Sequence, residues 1–372
     1  MLTFDAPAGR PVRLVGSPYA RGRAQAERCA DAADLVRERI RARLDWGSEG
    51  LAEAEFEAYL DRLEAYTRAH FPDILDEIRG IADGFGLTAG HVFRYLAAQV
   101  ARNLGEGAEL APVDGCSVFA ISHPALGALV GKNRDGIAEI LPVQRVFHHT
   151  DPAWGGRSYV CVGTLGSPGN YSSGMNSDGL VVADTGHRVS RIEVGMHRYF
   201  LLTWLLVHCR TVDEALAAIA GMPHVGGGLL ALGDAGGTVA AVELGPGRHT
   251  GIERKSPGRV GRSNHFVLGA TARFNLDLDR WVHRDSPARY RSLQHLLAAN
   301  GQPELADCAA ICSYHEPAGS SICRHGGPDG SHTLSGAIYA TAQRLMFYAP
   351  GNPCEGQWER FDATAAAPSR AS

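Results

Sequence analysis

Residues 114–120, Asp114-Gly115-Cys116-Ser117-Val118-Phe119-Ala120 (DGCSVFA), stand where the hydrophobic period of the chain changes. Upstream, residues 1–110 read as mainly helical. Ala20 to Trp46 carries Ala26, Cys29, Ala33, Val36 and Ile40 on one face, and Glu53 to His70 repeats the pattern through Phe56, Leu60, Leu63 and Tyr66. Pro72 opens a third helix that stops near Gly84 and Gly86, and Thr88 N-caps a fourth that ends near Asn103. Downstream of Pro112 the segments shorten and become β-branched or alternating. Strands are expected at Ser117–Ser122, Ala128–Lys132, Val143–His149 and Arg157–Gly163. Helices follow at His197–His208 and from Thr211, where TVDE has the form of a capping box. Leu229–Leu232 and Val239–Leu244 form a hairpin across GDAGG, and helices cover Pro287–Ala299 and Glu304–Cys312. Ser320–Arg324, Leu334–Thr341 and Gln343–Tyr348 read as closing strands, and the tail from Ala363 as disordered. This order, helices then strands then helices then strands, fits antiparallel sheets covered by helices better than a parallel βαβ repeat. The class is α+β.

Composition narrows the function. The 372 residues are 45% hydrophobic and 20% charged, as in a globular protein with a sizeable core. A net charge of −4 provides no electrostatic footprint for nucleic acid or an anionic membrane, so neither is expected as a partner. The first residues, MLTFDAPAGRPVRLVG, lack the apolar run of a signal peptide, and no stretch approaches the roughly 18 apolar residues of a membrane span. A cytoplasmic location is expected. The eight cysteines are scattered, so most are expected to be buried thiols and not a disulfide framework.

The chemistry centres on Cys116. A thiol attacks as the thiolate and needs a base. If Cys116 began a mature chain, its own α-amine, with a pKa of about 7.7–8.0, could take the proton. Gly115 suits the step that creates such a terminus, in which Sγ attacks the Gly115 carbonyl and water then cleaves the thioester, because glycine tolerates the strained backbone required. A buried thiol opening a strand is the plainer reading of the tetrapeptide alone. GKNRDG (131–136) alters that balance, since a hairpin from Cys116 would bring Asp135 back beside the sulfur, with Lys132 supplying positive charge. GMNSDGL (174–180) and RSNHF (262–266) offer the amides of Asn176 and Asn264 as non-titrating donors to an oxyanion. SPARYRSL (286–293) displays Arg289 and Arg291, one of them positioned to bind a carboxylate and the other solvated.

With these residues in view, the chain resembles the acyl-coenzyme A:6-aminopenicillanic acid acyltransferase-like branch of the N-terminal-nucleophile hydrolases. It is more distantly similar to bile salt and penicillin V hydrolases. GSPYARGRAQA, FPDILDEIRGIADGFGL, DGCSVFA, GKNRDG, GMNSDGLVVADTG, CRTVDEALAAIAGMP, GDAGGTVAAVELGPG, SNHF and SSICRHGG…TLSGAIYATAQRLMFYAPGNPC occur in the family's order over nearly the whole chain. The resemblance implies an αββα sandwich of two antiparallel sheets between helical layers. It implies cleavage into an N-terminal segment 1–115 and a catalytic core 116–362, with a tail at 363–372. It makes Cys116 the nucleophile with Asp135 beside it, Asn264 and Asn176 the oxyanion amides, and Arg289, or else Arg291, the neighbouring arginine. The expected substrate is an amide of a small molecule or peptide, with no cofactor and with the two fragments held together as a heterodimer. Gly136 stands where relatives carry an aromatic residue, so the pocket wall there should be more open or shaped by another segment. Lys132 replaces an arginine, a point charge in place of a planar fork.

Two other readings compete with this one. Cys308, Cys312, His315, Cys323, His325 and His332 could suggest zinc, with Cys308 and Cys312 on one helical face, but they lack the duplicated, tighter C-x₂₋₄-C pairs of structural sites, so no metal is expected. A self-cleaving protein without turnover would need Cys116 but not the downstream amides. Hydrolysis and acyl transfer, the latter including an acyl-CoA-dependent form, share an S-acyl Cys116 intermediate and differ in what resolves it.

Overall fold

The computed structural model describes residues 2–46, 53–101, 115–276, 285–299, 301–316, 321–326 and 330–364. The helical N-terminal region comprises α1 (Pro18–Arg28), α2 (Ala33–Trp46), α3 (Glu53–His70), α4 (Pro72–Phe85) and α5 (Ala89–Ala101). The single helix expected over 20–46 is broken, with a 3₁₀ turn at Ala30–Ala32 between α1 and α2. Pro72 sits at the start of α4, where a missing N–H costs nothing, and Gly86 ends it in the left-handed region at φ 67°. Thr88 Oγ1 accepts from His91 N at 3.1 Å, the cap its sequence position implies. The expected end of that helix near Asn103 lies outside the described residues.

The strands form two sheets. One has the order β1-β4-β5-β6-β7-β8-β9-β10, from β1 (Val12–Val15), β4 (Gln144–Thr150), β5 (Ser158–Thr164), β6 (Ser173–Asn176), β7 (Val181–Gly186), β8 (Gly228–Gly233), β9 (Val239–Leu244) and β10 (Thr250–Lys255). The other runs β11-β2-β3-β12-β13-β14, from β11 (Arg259–Arg262), β2 (Ser117–His123), β3 (Gly127–Gly136), β12 (His332–Ala340), β13 (Leu345–Pro350) and β14 (Glu359–Asp362). Among the described residues, every pairing between these strands is antiparallel except that of β4 with β1, a strand from the N-terminal region that the helical reading missed. The strand expected at 320–324 does not form over 321–324. His325 makes only an isolated bridge to His332, and Ser320 lies outside the described residues. At the C-terminus Ala363 is fully buried and its carbonyl accepts from Ser158 Oγ at 2.6 Å, so the ordered chain extends past the expected start of the tail.

Side-chain alternation stacks the layers. Val118, Ala120 and Val130 face an inter-sheet core with Met175, Val181, Ala183 and Ala231 of the other sheet. Their neighbours Phe119, Ile121 and Leu129 face outward onto α8 (Asp285–Leu297) and α9 (Leu305–Cys312). Leu180, Val182, Leu230 and Leu232 face the opposite way, onto α1–α5, α6 (Arg198–His208) and α7 (Val212–Gly221). The result is helix, sheet, sheet, helix. Gly131 makes the β2–β3 pairing possible, since a Cβ there would lie 2.1 Å from the Phe119 ring. Among the described residues no helix is long and apolar enough to cross a membrane.

Candidate active site

Cys116 lies immediately before β2 and Asp135 near the end of β3. The register pairs Ser117 with Asn133, which carries Asp135 back to Cys116. The Asp135 backbone N lies 3.4 Å from Cys116 Sγ. The hairpin reading of GKNRDG is what the pairing produces. On its other side β3 pairs with β12, and Thr333 Oγ1 donates to Asp135 Oδ1 at 2.7 Å. Among the described residues Asp135 Oδ2 has no hydrogen-bond partner although it is buried. Burial pushes the Asp135 carboxyl up from 3.8 to about 7, against the opposing pull of Arg324, Arg289, the Thr333 hydroxyl and Lys132.

The sign of this shift sets a prediction. In acid both folded and unfolded Asp135 are protonated. As pH rises from about 4 to 7 the unfolded chain ionises first, so the stability associated with this group declines through that window and levels off above it. Asp135→Asn removes the effect. With Cys116→Ala as the common background, so that no chemistry at the thiol intervenes, the stability of the Asp135→Asn variant relative to that parent should therefore rise by an amount on the order of 4 kcal/mol between pH 4 and pH 8, as read from denaturant melts. A pH-independent difference would refute the shift.

Arg289 is the hub of the cluster. It projects from α8, is fully buried, and donates to the Cys116 carbonyl at 2.8 Å, Ser117 Oγ at 3.2 Å, Asn264 Oδ1 at 2.8 Å and Asp285 Oδ2 at 2.9 Å. Arg291, two residues on, is exposed, so the structure brings Arg289 and not Arg291 to Cys116. Burial raises the Asp285 carboxyl, but Arg289 and Arg324 outweigh it and hold the group below its ordinary value. Asn264 follows β11, and its Nδ2 donates to Thr185 Oγ1 at 2.7 Å and to the Gly186 carbonyl at 2.6 Å. Its amide could serve an oxyanion only by releasing one of these acceptors.

Arg324 is the residue that sequence reasoning missed. It ion-pairs with Asp285 and lies against the Gly115 backbone, where a Cβ would fall 2.6 Å from its Nη1. Its backbone N donates at 2.8 Å to Thr333 Oγ1, the hydroxyl that holds Asp135. The signal was a guanidinium inside SSICRHGG, a segment read as a strand and as one of the family's motifs, with its cysteine and histidine considered only as metal ligands. Lys132 is buried in the inter-sheet layer and donates to the Asp184 carbonyl, with Asp184 Oδ1 at 3.4 Å. It reaches Asp135 only as a longer-range charge. At Gly136 the space is not open, since a Cβ would meet Leu334 at 3.1 Å and Ile140 at 3.3 Å, so those side chains shape the wall.

Asn176 does not join the cluster. Met175 faces the inter-sheet core, so its neighbour Asn176 points to the opposite face of the sheet, where α6 lies. Its Nδ2 donates to the Leu206 and Cys209 carbonyls at 2.9 and 2.8 Å, and its Oδ1 accepts from Leu180 N at 2.9 Å. The amide caps the end of α6, leaving no N–H for an oxyanion. Asn176→Ala should cost about 2–4 kcal/mol in chemical denaturation while any activity of the protein stays within about twofold. Unchanged stability with lost activity would restore the oxyanion role. A cavity of about 250 Å³ between α4 and α6, lined by His70, Phe71, Trp154, Phe200 and Trp204, includes none of the cluster residues.

Fold and site together define an α+β sandwich with a polar cluster of thiol, carboxylates and arginines beside its strand ends. Residues 124–355 match the acyl-coenzyme A:6-aminopenicillanic acid acyl-transferase family, and since this is well over half its length, the chain belongs to that family. The matched span includes Asp135, Asn264, Arg289 and Arg324 and begins after Cys116. No curated protein sequence matches the chain. Among solved structures it is similar to a mutant conjugated bile acid hydrolase from Clostridium perfringens, at 13% identity over 66% of this chain and 92% of that one, with a TM-score of 0.45. It is also similar to penicillin V acylase from Agrobacterium tumefaciens, at 14% identity over 63% and 83% of the two chains, with a TM-score of 0.35.

Proposed function

We propose that the protein is a self-processing cysteine amidohydrolase or acyltransferase that works through an S-acyl Cys116 intermediate. The observation that carries this reading is the buried Asp135. Its backbone N contacts Cys116 Sγ, while one of its carboxylate oxygens has no donor among the described residues. An α-ammonium created at Cys116 is the donor such an oxygen calls for.

In maturation, Sγ attacks the Gly115 carbonyl, the C–N bond breaks, and the departing nitrogen takes a proton to become the Cys116 amine. Water then hydrolyses the thioester, releasing the Gly115 carboxylate and restoring the thiol. In turnover the amine accepts the thiol proton as sulfur attacks a substrate carbonyl, then passes it to the leaving amine. Water resolving the acyl-cysteine gives hydrolysis, and an acceptor amine gives acyl transfer. An acyl-CoA donor enters by the same attack, with the CoA thiol leaving. The substrate class is an acyl compound of a small molecule or peptide.

The N-terminal segment should stay bound after the cut. Beyond the β1–β4 pairing, Gln25 Nε2 donates to the Ser167 carbonyl at 2.9 Å and Gly169 N donates to Glu77 Oε1 at 2.9 Å, both bonds buried. The helices share one apolar core with the eight-stranded sheet. Intact mass and N-terminal sequencing of the purified protein test the proposal. Two co-eluting chains, one beginning Cys-Ser-Val-Phe, are expected. A chain that remains uncut after long incubation counts against it.

A further inference from the structure

Away from Cys116, four side chains from three separate stretches converge. His315 follows α9, Cys323 and His325 flank Arg324, and Cys354 lies in the 3₁₀ turn Pro353–Glu355 after β13. One ligand atom from each lies within 4.8 Å of all the others. His325 Nε2 is 3.2 Å from His315 Nε2, 3.2 Å from Cys354 Sγ and 3.7 Å from Cys323 Sγ. A tetrahedral ion with Zn–N near 2.0 Å and Zn–S near 2.3 Å has ligand-to-ligand edges of roughly 3.3–3.8 Å. The three distances from His325 Nε2 fall close to that size.

We propose that His315, Cys323, His325 and Cys354 form a structural zinc site. Two thiolates and two imidazoles in a tetrahedral arrangement suit Zn(II) better than the oxygen-seeking cations. Four protein ligands close the coordination sphere, so the ion holds chain and does no chemistry. The surroundings are built for it. Asn352 Nδ2 donates to the Arg324 carbonyl at 2.7 Å and lies 3.4 Å from Cys323 Sγ, where an N–H would orient a metal-bound thiolate. Cys323 N donates to the Tyr314 carbonyl at 3.0 Å, which sets His315 beside Cys323, and Asn133 Nδ2 fixes the Ile322 carbonyl at 2.9 Å. The spacing expectation set zinc aside because C-x₂₋₄-C pairs do not occur in duplicate, and its candidate set did not include Cys354. The fold supplies the pairing that the spacing lacks.

The consequence reaches the candidate active site. Arg324 sits between two of the ligands, so the ion would clamp the segment that lays this guanidinium against Gly115 and Asp285. Arg324 is then held from one side by metal and from the other by Thr333.

Metal analysis of the full chain tests the site without relying on any activity, and can be run equally on Cys116→Ala. The protein purified without chelator, or dialysed against zinc and then against metal-free buffer, should hold about one zinc per chain. Cys354→Ser and His315→Gln should each hold at least tenfold less, while His249→Gln, outside the cluster, retains it. Cobalt(II) loaded in place of zinc should give the intense visible bands of a tetrahedral S₂N₂ site, absent in Cys354→Ser. His315 is exposed, so His315→Gln provides the reading if Cys354→Ser fails to fold. Zinc retained undiminished by both variants would mean a surface ion and would overturn the site. So would a wild-type chain that takes up no zinc, or one two mass units lighter with Cys323 and Cys354 joined as a disulfide.

Discussion

Cys116→Ala is expected to remain one uncut chain of full length and to lose acyl chemistry by about 10⁴-fold or more. The size of the effect follows from two roles held by one residue. In the proposed mechanism the thiol is the attacking atom in both maturation and turnover, and the amine that would serve as base exists only after the cut. Removing Sγ removes both at once. The fold should survive, because Cys116 is a small buried side chain at a strand start and alanine fills most of its volume. Cys116→Ser is the sharper variant. It keeps a nucleophile and should cut slowly while turning over poorly, since a hydroxyl is a far weaker nucleophile near neutral pH. Mass spectrometry follows the cut, and release of amine from an acyl-amide panel follows turnover. Turnover by purified Cys116→Ala would move the nucleophile elsewhere.

The second large effect is expected at Arg289. Arg289→Ala leaves the Cys116 carbonyl, Asn264 Oδ1 and a share of Asp285 without their donor in a buried cluster, with a cost of about 3–5 kcal/mol. It also frees the Cys116 backbone, so cutting should slow by at least about 100-fold, a displacement of the attacking sulfur by an ångström being enough for that. Arg289→Lys keeps the charge but cannot span four acceptors with one ammonium. It should fold better than the alanine variant and still cut slowly. Arg291→Ala is the control, expected to change stability by less than about 0.5 kcal/mol. Equal damage from the two alanine variants would show that the Arg289 contacts are incidental. Melting curves and a time course of cutting read both quantities.

Much of this site was legible from residue order. The hairpin from Cys116 to Asp135 needed only two short alternating segments and a glycine turn, because a strand pair returns the chain to its start at a length that counting reveals. Arg289 was one of two candidates, and helix periodicity alone could not say which of two residues on α8 faced inward. Asn176 misled because a glycine-flanked amide looks alike whether it faces a cleft or caps a helix. The face it takes depends on which sheet surface α6 covers. Arg324 went unnoticed for a related reason, since a guanidinium in an irregular segment shows no period at all.

Sequence by itself determined the α+β class, the change from helix to sheet at DGCSVFA, the caps at Thr88 and Gly86, and the meeting of Cys116 with Asp135. These are local, set by side-chain period, backbone preference and short loops. Tertiary structure alone decided that β1 joins the larger sheet, that Arg289 and Arg324 share Asp285 beside Gly115, that Asn176 faces α6, and that Cys354 meets His315, Cys323 and His325. Each of those depends on contacts between segments far apart in the chain. Which segments meet is fixed by how whole layers bury their apolar faces, and no local pattern encodes it.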